Sequence, residues 1–511
     1  MTPPKPICGE EKPQARERTS VSYEFVLEDE FDALCVEVKR NDGDSSGKSS
    51  SGNKYPAKLH ARKVVKELGV TDGLIYLPDS SFYYMSGANF PDCVLTYDIA
   101  ADRLILWIPY AEPRQVLYHG PTPDAAEAMR KYDVDDVRYT AQLQKFLHSQ
   151  LRPERTLYVI HTDQAPKLHD RPRGQTKINC SKLRPAMDQA RVIKTEYEVA
   201  LIRRAARISA AAHRAVAERL LTMRNEQDVA AVILAACTSR GAHVQAYPII
   251  AGAGVNASIL HYESNDQPLE GNQLMVVDAG CEYQCYASDI TRTLPIGGSF
   301  SKQASAIYSI VQRMQEECIA RVKPGTVYYE LQIHASDVAL QGLRKLGLLR
   351  GSFDEIQKAG TVAAFFPHGL GHHLGLEVHD VTGDERLLMR DNFHVEGGKR
   401  EMVTAAALVA MHRLASTTGP TKPRQALQPN MIVTIEPGIY FCRPFIEGYF
   451  LNNSTHAKFI NRDLLETYYP VGGVRIEDDI LVTHGGYENL SSGAPKGDEM
   501  LDVINGNFEK I

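Results

Sequence analysis

No apolar run in this 511-residue chain approaches the roughly 20 residues that a membrane-crossing helix needs. The opening stretch MTPPKPICGEEKPQARERTS is Pro-rich and charged, without the apolar core of a secretory signal. There is no basic excess either. Lys and Arg number 57 against 63 Asp and Glu, a net charge of −6, which argues against electrostatic capture of nucleic acid or of an anionic membrane. The nine cysteines lack a pattern: Cys281 and Cys285 form a lone C-x3-C with no second pair to complete a zinc site. They read as reduced thiols, and the expected location is the cytoplasm.

What is present points to a globular chain of two or three domains, with 43% hydrophobic residues to fill their cores. Residues 1–53 read as a flexible N-terminal region containing the Ser/Gly-rich loop NDGDSSGKSSSGN. From 54 to 187, YPAKLHARKVVKEL reads as a helix, and GLIYLPD, LILWIPY and LYVIH read as strands, together an α/β N-terminal domain. From 188 to 490 the texture changes. Long Ala/Leu/Arg/Glu-rich helices alternate with strands, an α+β domain. One helix, SKQASAIYSIVQRMQEECIARV, sets Ile307, Ile310, Val311, Met314 and Cys318 on one face. Residues 384–422 read as an insertion holding one helix, and 491–511 as a C-terminal tail.

Chemistry concentrates in five segments of the second domain. In VVDAGCEYQCYASDITRT, apolar strands adjoin Asp278 and Asp289. With the hairpin turn at Tyr283 and Gln284, Asp278 falls directly opposite Asp289, at a Cβ separation of about 5 Å. Two carboxylates so close repel unless a cation lies between them. MIVTIEPGIY repeats the device, an apolar strand ending in Glu436 and stopped by Pro-Gly. VGGVRIEDDILVT alternates so that Arg475, Glu477 and Asp479 share a face.

FPHGLGHHLGLEVHD places His368, His372, His373 and His379 within 12 residues, among glycines that let backbone approach closely. The four acids Asp278, Asp289, Glu436 and Glu477 carry the charge that two divalent cations balance. Two such ions about 3.5–4 Å apart are a common hydrolytic centre. An oxygen-rich donor set with one imidazole suits Mn²⁺, Co²⁺ or Zn²⁺. Sequence alone does not choose His372 over its neighbours.

In this order, DAG (278–280) with SDITRT (288–293), HGLGHHLG (368–375) with VHD (378–380), EPGIY (436–440) and GGVRIED (472–478) resemble the pita-bread metallopeptidases. The match is to the aminopeptidase P and prolidase branch, its fungal members included. ILHY (259–262) belongs to the same pattern. The resemblance implies an α/β N-terminal domain before a pita-bread (creatinase/aminopeptidase-like) catalytic domain. It implies two metal ions per subunit, manganese first among them. Asp278 would bind one ion, Asp289 and Glu477 would bridge both, and His372 and Glu436 would complete the second.

A bridging hydroxide would attack the scissile carbonyl, with Glu436 as proton acceptor and His368 and His379 steadying the substrate and intermediate. His261 would line the substrate side, while Arg475 and Tyr440 would orient the ligands. The implied substrates are proline-containing peptides, and the implied assembly is a homodimer. The expected function is release of an N-terminal residue preceding proline. The alternative is a Xaa-Pro dipeptidase, with Lys422 or Arg424 clamping the proline carboxylate. Two further readings are a methionine aminopeptidase and a metal-free peptide-binding protein on the same fold.

Overall fold

The computed structural model describes residues 54–78, 82–167, 177–269, 274–388, 405–412 and 423–507, with four short strands outside these ranges. The expected flexible region 1–53 lies outside the described residues, apart from strands Tyr23–Phe25 and Leu34–Val36, which pair antiparallel. Residues 55–511 form a compact unit of their own.

Its N-terminal part is built on a six-stranded sheet. The order is Asp136–Tyr139, Arg103–Ile108, Val94–Asp98, Leu74–Pro78, Thr156–Tyr158, Lys177–Asn179. The three consecutive strands at its centre are antiparallel and the outer additions are parallel. Trp107 packs on one face with Leu143 and Leu147, whereas Leu104, Leu106 and Ile108 face a second cluster. Helix Ala57–Leu68 covers that second face because Ala57, Ala61, Val64 and Leu68 recur at helical spacing, all buried. It reaches the catalytic part through His60, whose Nε2 lies 3.3 Å from Glu198 Oε2. Tyr286 donates to the other oxygen of Glu198 at 3.1 Å.

The catalytic part opens with helix Glu196–Arg219, started by a capping box between Thr195 and Glu198. Helices Lys302–Ile319 and Tyr328–Lys345 pack against each other; the expected stripe Ile307, Ile310, Val311, Met314 and Cys318 is buried. Two three-stranded antiparallel sheets carry the motifs. One orders Ile250–Ala253, Leu274–Asp278, Thr291–Pro295; the other Ile432–Ile435, Asp478–Val482, Tyr487–Asn489. A bridge between Thr291 and Glu477 joins the two halves. This is the pita-bread arrangement.

One detail differs from the sequence expectation. Residues 491–511 were expected as a tail, yet helix Gly497–Ile504 buries Met500, Val503 and Ile504, and Ala494 and Pro495 accept from the Arg292 guanidinium. Of the insertion 384–422, the described part is 384–388, two strand pairs of residues and helix Ala405–Met411. That helix, the one expected in the insertion, is buried at Val409 and Met411.

Candidate metal centre

The first acid pair is set by strand register. The hairpin turns at Gln284 and Cys285, both at positive φ (49° and 67°), as the twist of a two-residue hairpin requires. Tyr283 therefore pairs with Tyr286, and Asp278 pairs with Thr291, not with Asp289. The expected direct opposition is corrected to a diagonal. Because the offset is two residues, both carboxylates remain on one face of the ladder. Gly280 is required there: a Cβ on it would lie 1.8 Å from the Ser288 carbonyl oxygen. Tyr247 Oη lies 2.6 Å from Asp278 Oδ1 and 2.5 Å from Asp289 Oδ1, so one hydroxyl proton sits between two carboxylates.

The second half supplies the remaining groups. Glu436 ends strand Ile432–Ile435, as MIVTIEPG foretold. Glu477 takes a hydrogen bond from Thr291 Oγ1 at 2.7 Å, and its amide donates to the Thr291 carbonyl at 3.0 Å. The buried Arg475 ties these parts together. It donates to Asp278 Oδ2 at 2.6 Å, to Tyr440 Oη at 2.9 Å and to Thr291 Oγ1 at 3.1 Å.

The histidine segment crosses between the halves. Gly371 lets it run against strand Ile432–Ile435, since a Cβ there would lie 2.3 Å from the Thr434 carbonyl oxygen. His372 donates through Nδ1 to the His373 carbonyl at 2.9 Å, which leaves Nε2 without a proton. That nitrogen lies 3.4 Å from both Asp289 Oδ2 and Glu436 Oε1. His373, by contrast, turns away to Gln425. His379 is exposed and packs edge-on against His372 at a 4.2 Å ring separation. His368 donates through Nδ1 to the Gly369 carbonyl and meets Tyr440 Oη at 2.9 Å through Nε2. His261 is exposed and lies near His368. Arg424 stacks on Tyr329 at 3.6 Å, and Lys422 lies outside the described residues.

The electrostatics are those of a site built for cations. Burial pushes the carboxyls of Asp289, Glu436 and Glu477 well above their usual range, and their mutual repulsion adds to it. Burial depresses His372, and takes His368 down to about 3, so both rings are neutral at neutral pH. Glu477 Oε1 is buried without a hydrogen-bond partner. A buried carboxylate oxygen left unpaired is costly unless something charged meets it. Ligand atoms of Asp278, Asp289 and Glu477 gather within 4.8 Å, as do those of His372, Glu436 and Glu477, and those of Asp289, His372 and His379. Two overlapping sets sharing Glu477 and one neutral imidazole suit a pair of divalent ions.

Such a centre in this fold defines a metallopeptidase. Residues 200–484 match metallopeptidase family M24, and residues 71–159 match the aminopeptidase P N-terminal domain. A probable Xaa-Pro aminopeptidase of Colletotrichum graminicola is 57% identical over 96% of this chain and 99% of its own length. Another, of Metarhizium acridum, is 55% identical over 95% and 99%. Among solved structures, Pseudomonas aeruginosa aminopeptidase PepP aligns with TM-score 0.70 and 27% identity over 89% of this chain and 99% of its own. Zn-substituted E. coli aminopeptidase P in complex with product aligns with TM-score 0.70 and 25% identity over 90% and 100%. The chain belongs to metallopeptidase family M24, in its aminopeptidase P branch.

Tyr247 was missed by the sequence reading. It lies in the bend between strands Val244–Gln245 and Ile250–Ala253, and YPII carries no local sign of its carboxylate partners.

Proposed function

We propose that this chain is a metal-dependent Xaa-Pro aminopeptidase that uses two divalent ions, with manganese the preferred metal. Asp278, Asp289, His372, Glu436 and Glu477 would hold the ions, with Asp289 and Glu477 shared between them. The observation that carries this reading is the set of buried, mutually repelling carboxylates with an unpaired Glu477 oxygen and an unprotonated His372 Nε2 pointing among them. When bound, the ions lower the pKa of water towards neutrality and polarise a carbonyl.

The side chains supply the rest. Glu436 accepts the proton released as water attacks the scissile carbonyl. His379 and His368 border the space in front of the acids and steady the charge that grows on the carbonyl oxygen. His261 lines the substrate side. The Arg475–Tyr440–His368 chain, with both links at 2.9 Å, fixes the orientation of Asp278 and His368 together. Proline-specific exopeptidase activity is the reading given to the fungal relatives by their names. The proposal extends to a cytoplasmic homodimer, with the N-terminal domain ending at about residue 187.

The test uses chelated protein reloaded with Mn²⁺ and offered a Xaa-Pro-Yaa tripeptide and a Xaa-Pro dipeptide. The tripeptide should be cleaved and the dipeptide largely spared, and Asp289→Ala should lose at least about a thousandfold in kcat/KM. Preference for the dipeptide would make the chain a dipeptidase. Equal rates before and after metal removal would end the metal reading.

A further inference from the structure

The insertion after the VHD motif has no part in the chemistry above, yet its helix lies against the wall of the site. Helix Ala405–Met411 leads into His412, which is 2% exposed. Its ring packs on Phe366 at 5.0 Å, and Phe366 packs edge-on against His368 at 5.1 Å. One phenyl ring therefore separates His412 from His368.

A second route runs through hydrogen bonds. Ser336 donates its hydroxyl proton to the Gln332 carbonyl at 2.8 Å, so the Ser336 Oγ at 2.7 Å from His412 Nδ1 accepts from that nitrogen. Gln332 and Ser336 are a turn apart on helix Tyr328–Lys345. The Gln332 side-chain oxygen accepts from the Leu370 amide at 2.5 Å, and the Leu370 carbonyl accepts from the Glu436 amide at 2.8 Å. Both routes end on the segment that carries His368 and His372. The insertion is further fixed by Tyr329, which donates to the Met411 carbonyl at 3.2 Å while Arg424 stacks on its ring. Burial takes His412 down to about 4, so it acts as a neutral ring and hydrogen-bond donor.

We propose that His412 is a positioning residue through which the insertion holds His368 in place, by the Phe366 stack and the Ser336–Gln332 hydrogen bonds. The proposal rests on the catalytic reading of His368 given above. A ring that shifts by a fraction of an ångström costs rate rather than binding, because the charge it meets grows only in the transition state.

The test is kinetic, on the full-length, metal-loaded protein with a Xaa-Pro-Yaa peptide. His412→Ala should lower kcat about tenfold with KM changed less than about twofold and metal content unchanged. His412→Asn, which keeps a side-chain N–H for Ser336, should recover part of the loss. Ser336→Ala, which leaves the ring stack, should show the same pattern at about threefold and serves if His412→Ala does not fold. In a His368→Ala background, His412→Ala should cost nothing further.

A full kcat for His412→Ala, or its full cost repeated without His368, would overturn the proposal. Should His368→Ala alone leave kcat intact, the catalytic reading of His368 itself fails and takes this proposal with it. These outcomes are distinct.

Discussion

Glu477 and Asp478 are neighbours in sequence and equally buried, yet their environments are opposite. Asp478 meets Arg292 at 2.7 Å and Lys496 at 2.8 Å, and accepts from Gln315 and Asn489. Those cations hold its carboxyl at about 2 despite burial. Glu477 faces Asp289 and Asp278 instead, and its carboxyl is pushed well up. Adjacent strand residues point to opposite faces, so one step along the chain separates a structural ion pair from a candidate ligand. Asp479, one step further, returns to the site face and accepts the Asp289 amide on both oxygens at 3.2 Å. Buried charge that the fold compensates holds the fold together. Buried charge left uncompensated is where a cation belongs.

The largest expected effect breaks the compensated side. Asp478→Ala leaves Arg292, 1% exposed, without its carboxylate, and should cost about 3–5 kcal/mol of stability. Urea denaturation of metal-free protein would show it as a lower midpoint. An unchanged midpoint would mean that the carbonyls of Ala494 and Glu477, which also accept from Arg292, suffice to hold the guanidinium.

Glu477→Gln should move metal-free stability the other way. It removes a carboxylate that repels Asp278 and Asp289 while keeping an oxygen for Thr291, and should raise metal-free stability by about 1 kcal/mol while abolishing metal binding. The pH dependence carries the same sign. Asp289, Glu436 and Glu477 have folded values above their unfolded ones, so their contribution is full below about pH 4 and is lost as pH rises towards the raised values. Asp478 is the reverse: its contribution is present above about pH 4 and fades as pH falls towards its folded value of about 2. Buried neutral histidines such as His368 and His412 gain stability over the same range, so the carboxyl contribution is read as a difference: relative to Glu477→Gln, metal-free wild type should lose stability as pH rises above about 4, and Mn²⁺ should restore it. A difference between the two proteins that stays constant with pH would mean that Glu477 is solvated, and the site would lose its physical basis.

Much of this was legible in the sequence because the ligand-bearing elements announce themselves. Apolar strands running into Asp278 and Glu436 and a glycine-flanked histidine cluster are local patterns, and the structure draws those segments together. Register was not local. EYQCYA has neither Gly nor Asn to mark its turn, so the two left-handed residues, Gln284 and Cys285, were placed one position early. Tyr247 and His412 were invisible for a different reason. Each acts through contacts more than 30 residues away in the chain, Tyr247 with Asp278 and His412 with Ser336. The helix Gly497–Ile504 was missed because it is short and follows a loop rich in Gly, Ser and Pro.

The smallest expected effect lies where solvent does the compensating. Arg203 forms a bidentate pair with Glu488, both bonds at 2.8 Å, on the outer face of helix Glu196–Arg219. Arg292 meets Asp478 through a single nitrogen at 2.7 Å, so the Arg203 pair has the better geometry, but its side chains are 29% and 41% exposed. Water can take over either partner, and long side chains must be ordered to keep the pair. Arg203→Ala should therefore change stability by less than about 1 kcal/mol, and by less still at high salt, when measured beside Asp478→Ala in the same urea series. A loss as large as that of Asp478→Ala would show that hydrogen-bond geometry, not burial, sets the worth of these pairs. The contrast between Glu477 and Asp478 would then have to be explained without desolvation.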